Sequence, residues 1–318
     1  MRYWLRLLGA GIAVAFFATS AIAQHVRAIP LPAELSYPEG IGFDAAGFIF
    51  TAGASDGAVV RTDLTTGRST LIAKAGVLLP KDSETFPRLL GMKVDGAKRL
   101  WIVGGRTGKI FVLDTHSGKL VKQLTVPGTG SLLNDAVVTS NAVYVTDTLR
   151  PTLWKIPLQG DEIGELEAWI DFSGTPIEYA KGPNLNGIAK NPEGTSLLVV
   201  QMGKGLLFKI DVATRAILPI DVGGQVLTGG DGLELDGNTL YLVRQPEAEV
   251  VTLRLAPDFR SGKVVARFKD PALHWPATAV KVGNELLVVN SQFNKRASKD
   301  PVVPFTVVAI PLSKLSGG

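Results

Sequence analysis

Three features of the sequence predict an all-β fold, a six-bladed β-propeller built from four-stranded antiparallel blades. One short segment recurs six times in a single register, a hairpin turn lies five residues after the key position of each copy, and a second β-run follows every turn. The clearest copy is Gly-Asp-Gly-Leu-Glu-Leu-Asp-Gly at 230–237. Its second position recurs at 39, 90, 134, 186, 231 and 277, in steps of 51, 44, 52, 45 and 46 residues. A period of about 40 to 50 residues holding four strands is that of a propeller blade, so six periods make six blades. A β-sandwich would leave the six-fold register unexplained, and no long segment beyond the leader carries apolar residues at helical spacing free of turn signals.

The chain opens with Arg2 and Arg6, an uncharged run over 7–18 and a small-x-small site at Ala21-Ile22-Ala23 before Gln24. This is the pattern of a secretory signal peptide over 1–23. The apolar run is short against the roughly 20 residues that span a bilayer, so the expectation is an exported protein, periplasmic or secreted, without a stable membrane anchor. There is no cysteine, hence no lipidated cysteine at the cleavage site and no disulfide to support the fold. Residues 24–318 are expected to form one propeller domain. Removal of the leader takes away two arginines and no acid, leaving 31 basic and 29 acidic residues. That slight balance, with no clustered Lys/Arg stripe, argues against a nucleic-acid partner and leaves a small-molecule substrate or ligand.

Residues 25–33 read as a short edge strand that stops at prolines. From 38 onward each repeat supplies an inner run, a turn such as Asp95-Gly96 or Asn191-Pro192-Glu193-Gly194, a second run such as Leu100-Trp101-Ile102-Val103, and a third such as Lys109-Ile110-Phe111-Val112-Leu113. A second turn leads to the fourth run, in Asp63-Leu64-Thr65-Thr66-Gly67, Asp114-Thr115-His116-Ser117-Gly118 and Asp211-Val212-Ala213-Thr214-Arg215, the last without its Gly. The sixth repeat offers three strands, over 278–282, 285–290 and 304–311. Residues 25–31 are therefore expected to supply its outer strand and close the ring.

In a propeller the start of each innermost strand faces the axis, so the register positions should form one ring: Glu39, Leu90, Asn134, Asn186, Asp231 and Ala277. Four of these carry hard oxygen donors, none is His or Cys, and the two carboxylates balance a divalent ion, a donor set that suits Ca²⁺. Any one of the four alone would read as an ordinary turn residue; in shared register they read as metal ligands. Gly follows the ring position in four copies, as Gly40, Gly91, Gly187 and Gly232, which fits either crowding at an axis or turn geometry.

These residues carry a resemblance. Glu in the first repeat, Asn-Asp in the third, Asn-Gly in the fourth and Asp-Gly in the fifth resemble the calcium site of the gluconolactonase and senescence-marker-protein family, to which diisopropylfluorophosphatase and the paraoxonases are similar. The resemblance implies Glu39, Asn134, Asn186 and Asp231 as calcium ligands, Asp135 as an acid supporting the site or acting in catalysis, and a calcium-dependent hydrolase of lactones or phosphoesters. The catalytic histidine pair of the paraoxonase type has no counterpart, because the mature chain holds only His25, His116 and His274. Non-hydrolytic proteins of the strictosidine-synthase-like kind share the fold, so the alternative is a ligand- or protein-binding propeller with a structural calcium.

Four protein ligands leave positions open on an ion that takes about six to eight, where a carbonyl or phosphoryl oxygen would be polarised. Asp231 or Asp135 would then attack or deprotonate water, with His274, just before the sixth inner strand, as a further proton-transfer candidate. Loops before each inner strand and after each second strand are expected to wall the pocket. The candidates are Phe86, Arg106, Asp147, Arg150, Tyr179, Gln201, Arg244, Trp275, Asn290 and Gln292, the three arginines being suited to an anionic or carboxylate-bearing substrate. No Gly-x-Ser-x-Gly, His-Glu-x-x-His, Walker loop or Cys pair occurs, which argues against serine or zinc hydrolysis.

Overall fold

In a computed structural model, which describes residues 25–80 and 85–317, the second strand of most repeats is buried along its whole length, as in Ala142–Asp147, Ser196–Gln201 and Thr239–Arg244. A strand buried on both faces reads as a near-continuous apolar run, because a neighbouring blade covers each side. Outer strands face solvent on one side and alternate instead, most clearly in Gly262–Lys269. The leader expected over 1–23 lies outside the described residues.

Six antiparallel sheets result, one per repeat. Blade one runs Pro38–Phe43, Phe48–Gly53, Val59–Asp63 and Ser69–Ala73 from the inside outward; blade two runs Met92–Val94, Arg99–Val103, Lys109–Asp114 and Leu120–Thr125. Blade three holds Leu133–Val138, Ala142–Asp147 and Thr152–Gln159, and its outer position is shared by Glu162–Ile163 and Glu167–Asp171, which pair with opposite ends of Thr152–Gln159. Blade four ends in the short Ile217–Pro219, and blade five in Gly262–Lys269. Blade six comprises Pro276–Val282, Glu285–Asn290 and Thr306–Pro311, and its outer strand is Arg27–Pro30, which pairs antiparallel with Thr306–Pro311. The ring is thus closed by chain ends as expected, and all six sheets are antiparallel.

The core is divided. A separate apolar cluster lies between each adjacent pair of blades, for example Trp101 and Trp154 between blades two and three, or Ile29 and Ile41 between blades six and one. In blades one, two and four the second turn is tied by its leading aspartate: Asp63 Oδ1 accepts the backbone N–H of Thr65 and Thr66, Asp114 Oδ1 that of Ser117, and Asp211 Oδ1 those of Ala213 and Thr214. Gly67 and Gly118 close these turns at φ near 70°, and Arg215 takes the same left-handed conformation at φ 62°, so the turn survives where the glycine is absent.

Candidate metal centre

The inner strands do not run into the axis as regular ladders. In five blades the pairing with the second strand shifts register at the ring position, between Pro38 and Ile41, Leu133 and Ala136, Leu185 and Ile188, Gly230 and Leu233, and Pro276 and Ala279. A bulge frees one residue from the ladder and re-aims its side chain, here toward the axis. The glycine after the ring position is required by crowding and not by a turn. Gly40, Gly91, Gly187 and Gly232 all lie outside the left-handed region, and a Cβ there would run into the next blade: the Leu90 carbonyl from Gly40, the Asp135 Cα at 2.6 Å from Gly91, the Asp231 carbonyl from Gly187 and the Thr278 Cα at 2.7 Å from Gly232.

Glu39, Asn134, Asn186 and Asp231 meet at the floor of one cavity of about 190 Å³, together with Leu90 of the second blade. All four are at most 7% exposed. Asn186 donates to Met202 Sδ at 3.3 Å, and the polar side chains of Asn186 and Gln245 beside Asp231 act to lower the proton affinity of its carboxylate. Thr278 Oγ1 donates to Glu39 Oε1 at 3.3 Å. Burial, then the charge of Asp135, pushes Asp231 up to about 7; burial, then the charges of Asp231 and Asp135, holds Glu39 well above the usual carboxylate range.

The donor set passes a fit test for Ca²⁺. Among the described residues, Glu39 Oε2, Asn134 Oδ1 and Asn186 Oδ1 are buried with no hydrogen-bond partner. An orphaned buried acceptor costs about 1–3 kcal/mol, and three of them gathered on one cavity floor are what a hard, oxygen-seeking cation would satisfy. No group of three or more His, Cys, Asp or Glu lies together among the described residues, because half of this ring is amide.

The remaining candidates fall differently. Asp135 is buried beside the ring but does not line the cavity; its Oδ1 accepts from Ala136 N at 2.8 Å and its Oδ2 from Ile188 N at 3.2 Å, tying blade three to blade four. His274 and Trp275 are half-buried outside the lining; His274 N donates to Asn290 Oδ1, and Trp275 O accepts from Ser291. Arg106 is exposed and does not line the cavity, though its backbone N–H donates to the carbonyl of Pro87 in the wall.

The residues chosen at the ends of second strands share one task, stapling the loop that leads into the same blade's inner strand. Asp147 accepts from Leu132 N, Gln201 donates to Glu178 O, Arg244 donates to Thr228 O, and Asn290 donates to Ala272 O. Arg150 donates to Pro127 O and lies over the Trp154 ring, and Tyr179 donates to Asp147 O. Burial raises the Tyr179 hydroxyl far above its usual range. Gln292 exchanges hydrogen bonds with Val302.

The walls are instead the next residues along, Thr148, Met202 and Gln245, with Phe86, Pro87, Leu132, Pro183 and Phe293. Period-two alternation could have found the first three, since a one-residue step along a strand switches the face that a side chain occupies. Phe86, expected as a wall, packs edge-on against Phe293 with ring centroids 5.0 Å apart. A larger groove of about 450 Å³ lies at the hairpin turns of blades one and two, but its carboxylates are committed: Asp44 holds its own turn, and Asp95 holds Arg99 and Trp101.

No known protein family matches the sequence, and no curated protein does. Solved structures do. Regucalcin of Agrobacterium tumefaciens, a calcium-binding protein, is 19% identical over 93% of this chain and 96% of its own, with TM-score 0.60. The major allergen Mala s 1 of Malassezia sympodialis is 14% identical over 91% and 96%, with TM-score 0.66. A luciferin-regenerating enzyme is 13% identical over 93% and 97%, with TM-score 0.64. Virginiamycin B lyase of Staphylococcus aureus is 11% identical over 91% and 99%, with TM-score 0.58. Similarity at such low identity concerns the backbone, and on that evidence the chain is a six-bladed β-propeller of the fold that these proteins share.

Proposed function

We propose that this chain is a calcium-binding propeller akin to the gluconolactonase and senescence-marker-protein family, and that it hydrolyses small, neutral, largely apolar lactones or phosphotriesters. The observation that carries this reading is the set of three orphaned buried oxygens, Glu39 Oε2, Asn134 Oδ1 and Asn186 Oδ1, beside Asp231 at the floor of an apolar-walled cavity. The calcium-binding regucalcin among the similar structures supports it. Glu39, Asn134, Asn186 and Asp231 would hold the ion, and bound calcium would supply Lewis acidity toward a carbonyl or phosphoryl oxygen.

The protein's own residues would do the rest. Phe86, Leu132, Met202 and Phe293 would bind the apolar body of the substrate and exclude water. Asp231, flanked in the cavity by Asn186 and Gln245, is the carboxylate suited to accept a proton from the attacking water. None of Arg106, Arg150 and Arg244 lines the cavity, which favours a neutral substrate over the anionic one expected from sequence.

A second reading, ligand binding without turnover, is favoured by Asp135 and His274: the first has both oxygens engaged by backbone amides, and neither lines the cavity. One experiment separates the two. Titration of EDTA-treated protein with Ca²⁺ by calorimetry should give one site per chain, and Asp231→Asn should weaken it by at least about 100-fold, roughly 2.7 kcal/mol. A rate screen over lactones, aryl esters and phosphotriesters should then show hydrolysis that chelation abolishes. Calcium binding with no calcium-dependent rate selects the binder; unchanged affinity in Asp231→Asn rejects the site. We also propose export with cleavage before Gln24, which the N-terminus of the native protein, read by mass spectrometry, would reveal.

A further inference from the structure

Below the ring, on the side of the inner hairpin turns, the axis opens into a second cavity of about 290 Å³. Its walls are mostly apolar, with Val94, Val137, Ile188, Leu233 and Val280 among them, and three charged residues line it, Lys93 of blade two, Lys190 of blade four and Glu234 of blade five. Lys93 lies on the short inner strand Met92–Val94, two residues beyond the glycine that packs against Asp135. Its Nζ is buried and makes no hydrogen bond among the described residues. Glu234 Oε1 accepts the Lys281 N–H at 3.2 Å, and both Asp135 oxygens accept backbone N–H groups.

An ammonium group removed from water among aliphatic side chains, with no acceptor to take its protons, is costly and persists only where carboxylates compensate it. The carboxylates are present. The Lys93 charge acts to lower the proton affinity of Glu39, Asp135 and Glu234, against the burial that raises each. Four acidic groups thus line the axis, Glu39 and Asp231 in the ring, Asp135 and Glu234 below it. A divalent ion would offset the upper pair and leave the lower pair still needing a cation.

We propose that Lys93 is the resident counter-cation of the channel below the ring: without direct contact it offsets the charges of Asp135 and Glu234 in the metal-free protein, and its fixed charge lowers the affinity of the ring for Ca²⁺. The affinity half of this rests on the calcium reading above; the stability half does not. Lys93 acts through other residues and is a positioning residue, not a ligand.

The test uses the full mature chain with Lys93→Met, Lys93→Arg, Glu234→Gln and the double variant Lys93→Met/Glu234→Gln. Each is melted in EDTA and titrated with Ca²⁺ by calorimetry. Lys93→Met should lower the metal-free melting temperature and tighten Ca²⁺ binding by about fivefold or more, because one positive charge near the ion is gone. Glu234→Gln keeps the carbonyl oxygen that accepts from Lys281 N–H and should shift the affinity the opposite way. The double variant should melt above Lys93→Met alone, since it removes both members of the pair, and Lys93→Arg should retain wild-type affinity. Unchanged or weaker Ca²⁺ binding in Lys93→Met overturns the proposal, as do additive losses in the double variant. Should Lys93→Met fail to fold, the direction of the Glu234→Gln shift decides. If wild-type protein binds no Ca²⁺, the calcium reading falls, and the metal-free melting cycle still decides whether Lys93 and Glu234 compensate each other.

Discussion

Arg244 shows how one residue type at one position divides between binding and support. Its guanidinium donates to Thr228 O and pairs with Glu247 and Glu249, all within blade five, and the Glu249 side chain is 4% exposed. Arg244→Ala should therefore cost about 3 kcal/mol in urea denaturation, the lower end for a broken buried pair because Arg267 still reaches Glu249 at 2.7 Å. The neighbouring Gln245 is the residue that reaches the site. Gln245→Ala removes a polar side chain beside Asp231 that helps keep it ionised and should weaken Ca²⁺ binding by about 10- to 100-fold in calorimetry while moving stability far less than Arg244→Ala. If the two variants exchanged these effects, the one-residue offset between staple and wall would be misassigned.

Among the elements, the closing strand Arg27–Pro30 matters more for its apolar side chains than for its charge. Ile29, and Leu31 just beyond the strand, are buried against Phe305 and Val307, and a fully buried side chain of that size is worth about 1.5–3 kcal/mol. The Arg27–Glu285 pair, with side chains 49% and 32% exposed, is worth at most about 1 kcal/mol. Deletion of 24–33 should lower the melting temperature by more than about 10 °C, because it also exposes the edge of Thr306–Pro311, whereas Arg27→Ala should change it by little. A truncated chain that melts with the full mature protein would refute this closure. The bulged inner strands are the other decisive elements. They turn Glu39, Asn134, Asn186 and Asp231 out of the ladder and let each following glycine abut the next blade, so Gly187→Ala should destabilise by several kcal/mol on the scale of an overpacked core.

At the scale of the whole molecule, the ring concentrates buried acid at one axis, and this sets a pH dependence. Unfolded, Glu39 and Asp231 ionise near pH 4, about the ordinary carboxylate value. Folded without metal, both are raised, Asp231 to about 7. These two groups then bind more protons in the folded chain than in the unfolded one over that interval, so their contribution to metal-free stability is full below about pH 4 and is lost as pH rises toward about 7. Calcium favours the ionised forms, and its stabilising effect should grow over the same window. Melting in EDTA and in Ca²⁺ at about pH 5.5 and about pH 8 checks both signs; a metal-free protein that gains stability with rising pH would contradict them. The blade count, the closure by residues 25–31 and the gathering of Glu39, Asn134, Asn186 and Asp231 at one axis are all legible in the residue order, because a repeat prints its register directly into spacing and turn residues. Which neighbours wall the cavity, that Asp135 gives its oxygens to backbone amides, and that Lys93 lies among the acids of the axis emerge only in the folded ring. Those outcomes depend on contacts between residues of different blades, brought together when the ring closes, and on a one-residue choice of strand face that local spacing does not fix.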